Sequence, residues 1–278
     1  MDYIELTVSI EPFSVDASDI LMSELGELGF ESFTETDNGF NAYIPDSLYS
    51  TLAIKELIAA YKGQLIVGTK EKLIKAQNWN AVWESNFEPT VIANRCVIRA
   101  PFHTGLPEYE MDIVIEPKMS FGTGHHATTY LIAEWLLNQN VSGLSVLDMG
   151  CGTGVLAIIA ALKNAVSVDA VDIDEWAYSN ALENVAANSC KSKVTVRLGD
   201  ASLLEGRMYN LILANINRNI LVQDMERYVN SLVTDGTLVV SGIFTEDIPI
   251  VAGKAAEFGL QQVESKSRDK WARIVFQR

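Results

Sequence analysis

The segment Val146-Leu-Asp-Met-Gly-Cys-Gly-Thr-Gly154 constrains this chain more than any other stretch of it. A short apolar run meets Asp148, and three glycines then alternate with small or soft side chains. The run Leu156-Ala-Ile-Ile-Ala-Ala-Leu162 follows and reads as a helix. Strand, tight glycine turn and helix start form the unit by which an α/β sheet lets a ligand reach bare backbone. Gly150, Gly152 and Gly154 give G-x-G-x-G after an acid. A dinucleotide enzyme instead uses G-x-G-x-x-G to cradle a pyrophosphate at the helix N-terminus. The spacing here suits a neutral nucleoside with an amino-acid tail.

An ordinary strand-to-helix turn would also read this way, and the next segment argues against it. Ser167-Val-Asp-Ala-Val-Asp-Ile-Asp174 is a second apolar strand, with Asp172 placed 22 residues beyond Gly150. An acid at that distance, ending the second strand, is placed to accept both ribose hydroxyls. Asp174 and Glu175 head the next helix, whose positive dipole end favours acids, so Asp174 reads as a cap. Val194-Thr-Val-Arg-Leu-Gly-Asp200 is a third strand ending in an acid. The glycine spacing resembles the first motif of class I S-adenosylmethionine (SAM) methyltransferases. That resemblance implies SAM as cofactor and places Asp200 near the adenine amino group, a turn-forming role being the alternative.

With 278 residues the chain can bury a substantial core, and its 48% hydrophobic content fits a soluble globular protein. No apolar run approaches the roughly 20 residues of a membrane span. The start Met-Asp-Tyr-Ile-Glu has no signal-peptide pattern. Cys96, Cys151 and Cys190 are odd in number and scattered, as reduced thiols in a cytoplasm would be. A cytoplasmic monomer is expected.

Charge is uneven. The first base is Lys55, after eleven acids, and residues 1–85 carry net −9 of the total −15. Such a field repels nucleic-acid phosphates and favours a basic partner, so neither direct nucleic-acid nor membrane contact is expected. Solubility alone would also give a negative balance. Fifty-four residues without a base are what point to a partner.

The spacing of apolar residues predicts two parts. Strand Tyr3–Ile10, a helix over 16–28 stopped by Gly29, a hairpin Phe30–Thr36 and Gly39–Ile44, a helix over 46–61 and a strand over 64–74 give βαββαβ, a ferredoxin-like arrangement. A linker over 77–90 carries Trp79 and Trp83 on one helical face. Strands Val91–Ala100 and Tyr109–Ile115 lead into 91–278, where strand and helix alternate as a parallel sheet requires. Its strands are expected at 145–148, 167–172, 194–198, 210–215, 236–243, 261–266 and 271–276. The last two are joined too tightly for a helical crossover, so one runs antiparallel.

The segment Glu116-Pro-Lys-Met-Ser-Phe-Gly-Thr-Gly-His-His-Ala-Thr-Thr129, Asn215-Ile216 at the end of the fourth sheet strand, and the tryptophan linker together resemble the PrmA family. That family methylates the large-subunit ribosomal protein number eleven of bacteria. The resemblance covers nearly the whole chain. It implies a substrate-recognition domain over 1–76 and a SAM-dependent methyltransferase domain over 91–278. The chain departs from the family pattern at His125, Ala127 and Glu116-Pro-Lys, where Thr, Pro and Asp-Pro-Gly are usual. Carried over by position, the SAM contacts fall on Thr129, Gly150, Asp172 and Asn215. Phe121, Gly152 and Asp200 complete the candidate set, and Asn215 is also the candidate catalytic residue. A helix cap for the segment beginning at Arg218 is its alternative role. His125, His126 and His103 lack companion ligands at coherent spacing, so no metal is expected.

The expected activity is SAM-dependent methylation of amino groups, lysine side chains or the N-terminal amine, on that ribosomal protein. The alternatives are a small-molecule or nucleic-acid methyltransferase, or a SAM-binding module without turnover.

Overall fold

The computed structural model describes residues 2–75, 87–118 and 120–278. The paired tryptophans Trp79 and Trp83 lie outside the described residues. The chain divides into two compact units, Met1–Asn86 and Phe87–Arg278.

The first unit runs β1 (Tyr3–Glu11), α1 (Val15–Glu27), β2 (Ser32–Thr36), β3 (Gly39–Pro45), α2 (Thr51–Ala60) and β4 (Ile66–Ile74). Its sheet order is β2-β3-β1-β4 with every neighbour antiparallel, the ferredoxin-like arrangement. Alternation in β1 buries Ile4, Leu6, Val8 and Ile10 on one face, against Phe40 and Ile44 of β3 and Leu21 and Leu25 of α1. Ser14 starts α1 by accepting the Ala17 amide at 3.2 Å, and Gly29 ends the segment at φ 98°. The helix expected over 46–61 is broken. A single 3-10 turn, Asp46–Leu48, gives way to extended Tyr49. Ser50 then caps a new helix by accepting the Ala53 amide at 3.3 Å. A serine inside an apolar-periodic run restarted the helix, which periodicity alone could not reveal.

In the second unit β5 (Thr90–Ile92), β6 (Cys96–Arg99) and β7 (Met111–Val114) form a small sheet. The strand expected over 91–100 is a hairpin, because Ala93 and Asn94 turn the chain at φ 51° and 54°. Then come α3 (Ala127–Asn138), β8 (Ser145–Met149), α4 (Val155–Leu162), β9 (Ser167–Asp172) and α5 (Glu175–Ala187). They are followed by β10 (Val194–Leu198), β11 (Tyr209–Asn215), α6 (Arg218–Asn230), β12 (Leu232–Phe244), α7 (Ile248–Glu257), β13 (Gln261–Arg268) and β14 (Trp271–Gln277). The seven-stranded sheet has the order β10-β9-β8-β11-β12-β14-β13. All pairs are parallel except those of β14, which is antiparallel to both β12 and β13. This is the class I SAM methyltransferase sheet, with the antiparallel final pair that the tight 268–271 connection required.

Both faces of the sheet are covered, so its strands read as continuous apolar runs. The helix α4 is buried from Val155 to Ala161, which explains why its sequence has no polar face. Strand order reverses at β8, whose neighbours are β9 and β11. Ligands of open α/β sheets bind at such a reversal, beyond the carboxyl ends of the strands.

Candidate active site

A pocket of about 580 Å³ opens at that reversal, at the carboxyl ends of β8 to β11 and against α6. Six of the seven candidate residues line it: Phe121, Gly150, Gly152, Asp172, Asp200 and Asn215. Thr129 does not, lying behind the wall with 1% of its surface exposed.

The glycine loop is held by its own backbone. Gly150, Gly152 and Gly154 adopt φ of 69°, 53° and 78°, a region costly to any other residue. The amides of Gly150 and Cys151 both donate to the Val171 carbonyl, at 2.8 and 3.0 Å. The Gly152 amide donates to Asp172 Oδ2 at 2.8 Å. The sequence assigned Gly150 to close approach of a ligand. In the structure a Cβ there would collide with the Ile216 side chain, and one at Gly152 with the Phe121 carbonyl oxygen. Both Ile216 and Phe121 also line the pocket, so the bare glycines let the pocket's own walls close onto the loop.

The Phe121 segment is fixed to this loop. The Thr153 amide donates to Phe121 O at 2.9 Å, and Thr153 Oγ1 donates to Gly122 O at 2.7 Å. Upstream, a ladder of asparagines on α5 and its end secures the strand leading in. Asn188 exchanges two hydrogen bonds with the Val114 backbone, at 2.9 and 2.6 Å. Asn184 accepts the Glu116 amide at 2.9 Å and donates to Thr153 O at 2.9 Å, while Asn180 donates to Glu116 O at 3.2 Å. Sequence reasoning missed these three. Asparagine at 180, 184 and 188 puts poor helix formers on one face, and that repeat was the available signal.

Asp172 accepts from Gly152 on one oxygen and from the Asp174 amide at 3.0 Å on the other. A carboxylate oxygen has two acceptor sites, so each keeps one for a hydroxyl. Asp174 is the cap of α5, accepting the Trp176 and Ala177 amides at 2.6 and 3.3 Å. Asp200 takes the turn-forming role, accepting the Ser202 amide at 2.8 Å, and still faces the pocket. Hydrogen bonds from Ser202 hold its carboxyl below the usual range. Beneath the loop, Asp148 is wholly buried and accepts the Ala157 amide at 3.0 Å, while its second oxygen has no partner. Burial pushes this carboxyl up to about 7.

Asn215 does not cap α6. Asn217 does, accepting the Ile220 amide at 3.2 Å. Instead Asn215 Nδ2 donates to Thr129 Oγ1 at 3.3 Å, and its Oδ1 is buried without a partner. The helix carrying Thr129 is capped by His126, whose Nδ1 accepts the Thr128 amide at 3.4 Å and lies 2.8 Å from Thr128 Oγ1. The His126 ring packs edge-on against Phe121 and Trp271. His125 bonds the Glu88 carbonyl at 2.8 Å, and His103 bonds the Phe87 carbonyl. Among the described residues, no group of three or more His, Cys, Asp or Glu could hold a metal.

This donor set fits SAM: a glycine cradle, a carboxylate with free acceptor sites, and an asparagine in the pocket wall whose buried amide oxygen has no partner. The family model for ribosomal protein L11 methyltransferase (PrmA) matches residues 7–278. A ribosomal protein L11 methyltransferase of Phocaeicola vulgatus is 41% identical over 279 residues, covering 99% of each chain. One from Porphyromonas gingivalis is 46% identical over 263 residues, covering 94% of this chain and 90% of its own. Among solved structures, a ribosomal protein L11 methylase from Lactobacillus delbrueckii subsp. bulgaricus is similar with a TM-score of 0.64 and 26% identity. That similarity covers 69% of this chain and 99% of the other. A match over nearly the whole sequence, joined to a SAM-methyltransferase sheet with the pocket at its strand reversal, means that the chain belongs to the ribosomal protein L11 methyltransferase (PrmA) family.

Proposed function

We propose that this protein transfers methyl groups from SAM to amino nitrogens of ribosomal protein L11. The observation that carries this reading is the buried, unpartnered Oδ1 of Asn215, whose amide nitrogen is tied back to Thr129. Asn215 lines the pocket, and an amide oxygen buried there without a partner is costly until a donor N–H reaches it.

SAM, when bound, supplies an electrophilic methyl group. The chain binds and orients. The free acceptor sites of Asp172 take the ribose hydroxyls, Asp200 takes the adenine amino group, and the glycine loop with Phe121 bounds the amino-acid end. Asn215 Oδ1 and the Ile216 carbonyl accept the N–H groups of the substrate amine and so direct its lone pair. Neither oxygen removes a proton, so the amine reacts neutral, having lost its proton to water. That loss costs on the order of 4–5 kcal/mol for a lysine at pH 7 and about 1 for an α-amine. The acid-rich first unit docks the basic ribosomal protein, and a ribosomal-protein substrate implies that the activity is cytoplasmic.

Incubation with tritiated SAM and either purified L11, ribosomal RNA or a small-molecule fraction tests the reading. Label is expected on L11 amines, with Asn215→Ala lowering the single-turnover rate about 100-fold and SAM affinity far less. Label on RNA or a small molecule, or an unchanged rate for Asn215→Ala, overturns it.

A further inference from the structure

We infer that Asp224 is a second acceptor for the adenine amino group, beside Asp200, and makes the pocket selective for a 6-aminopurine over a 6-oxopurine. The inference deepens the reading of the pocket as a SAM site and rests on the assignment of its Asp200 end to adenine. The exocyclic amine of adenine carries two N–H donors, so a single carboxylate oxygen satisfies half of it.

One face of α6 brings in the second acid. Ile220, Gln223, Asp224 and Arg227 follow the i, i+3, i+4, i+7 spacing of a single helix face, and all four line the pocket. The adjoining stripe of Leu221, Met225 and Tyr228 enters the core. The same helix packs against the 3-10 turn Ala201–Leu204, which Asp200 starts, so both acids belong to one end of the cavity. Asp224 is only 6% exposed, and an acid buried that far needs partners. Its Oδ1 accepts from Arg227 Nη1 at 3.2 Å. Among the described residues nothing pairs its Oδ2, and that oxygen is not sealed from solvent. Burial raises the Asp224 carboxyl, and the Arg227 guanidinium draws it back toward ionisation. The charge of Asp200 acts on Asp224, and that of Arg227 on both acids. An ionised oxygen with an open acceptor site forms a charge-assisted hydrogen bond with an N–H that reaches it. A 6-oxopurine presents a carbonyl oxygen where adenine has its amine, which sets two carboxylates against an acceptor.

The test measures binding of S-adenosylhomocysteine and S-inosylhomocysteine to the full chain by calorimetry, for wild type, Asp224→Leu and Asp224→Asn. The wild type is expected to prefer the adenosine compound by about 100-fold or more. Leucine fills a similar volume with no acceptor, so Asp224→Leu should lose about tenfold for the adenosine compound and little for the inosine compound. An asparagine amide accepts through its oxygen or donates through its nitrogen, so Asp224→Asn should bind the two within about tenfold of each other. A merely structural role for Asp224 would weaken both compounds alike and leave their ratio unchanged. A ratio unchanged in both variants, or a wild type that binds the two compounds equally, overturns the inference and leaves the SAM reading standing. A wild type that binds neither compound sinks that reading, and the inference with it.

Discussion

The two units treat polar groups in opposite ways. Among the described residues of the first, Ser18 is the one buried polar side chain, and the core is Ile, Leu, Val, Phe and Ala. The second unit has more apolar strands, yet it buries Thr128, Thr129, Asp148, Thr153, Asn180 and Asn184. Burying a polar group is unfavourable unless it is paired, so such groups persist where a backbone or a ligand must be held. Here they hold the glycine loop, the Phe121 segment and Asn215. Apart from Ser18 and the buried Tyr49 hydroxyl, the described first unit keeps its polar side chains toward solvent, with eleven acids before the first base. One unit is organised around a cavity, and the other around a surface.

Separating the units breaks or upholds that division most directly. A chain beginning at Phe87 keeps every pocket residue and should bind SAM with near wild-type affinity. Methylation of L11 at low substrate concentration should fall roughly 10²–10⁴-fold, because a tethered docking surface acts through effective concentration. Calorimetry and labelling check the two halves of this. A truncated protein that folds, binds SAM and methylates L11 at the full rate would show that the first unit has no docking role.

The next effect is confined to the cavity. Asp172→Ala removes the acceptor proposed for the ribose, and lost hydrogen bonds to a charged group cost about 1.5–3 kcal/mol. SAM affinity should fall roughly ten- to hundredfold. The variant also loses the Gly152 and Asp174 tethers, so thermal unfolding of the second unit should drop. Asp172→Asn retains one acceptor oxygen and should lie between. Wild-type SAM affinity in both variants would remove Asp172 from the cofactor site.

Much of this cavity was legible because its signals are local. The loop over 146–154, the acid at 172 and the cap at 174 lie within one strand-turn-helix-strand unit, and the antiparallel final pair follows from the tight last turn. What escaped was non-local or a single-residue interruption. Ser50 restarts a helix inside a periodic run. Asn217 caps α6, so the cap that was the alternative role for Asn215 falls two residues on. The asparagines of α5 face a segment 64 to 74 residues away, and nothing in their neighbourhood names that partner. Thr129 meets Asn215 only once α3 and β11 are packed. Periodicity reports which face a residue occupies and not what lies opposite.

The third effect sets a pH dependence on the second unit. The buried Asp148 carboxyl is raised to about 7, above its unfolded value near 4. A group raised in the folded state contributes stability that is fully present below the unfolded value and lost as pH rises toward 7. Asp148→Asn keeps the oxygen that accepts from Ala157 and cannot ionise. Its unfolding free energy relative to wild type should therefore rise by about 2–3 kcal/mol between pH 5 and pH 8. Parallel denaturant curves for the two proteins across that range would show instead that Asp148 titrates alike folded and unfolded.

The smallest effect belongs to the surface unit and is electrostatic. Its acids are largely exposed, among them Asp16 and Asp19 on α1 and Glu31, Glu35 and Asp37 around β2. At the other end of the sheet order, Lys70 and Lys72 flank Glu71 on the edge strand β4, and Lys72 pairs with Glu5 at 3.7 Å. Lysines on an edge strand discourage strand addition, which leaves the acidic side as the surface offered to a basic partner. Exposed charges act over about 10 Å at 0.1 M salt and about 3 Å at 1 M. Raising salt across that range should lower kcat/KM for L11 roughly three- to tenfold, through association. The double change Asp16→Asn and Asp19→Asn should flatten that dependence without altering KM for SAM. The cavity is expected to be indifferent to both manipulations, since its contacts are short and partly buried. If salt weakened SAM binding and L11 methylation in equal measure, or the double variant kept the wild-type slope, the acids of the first unit would be solubilising charge and not a docking field.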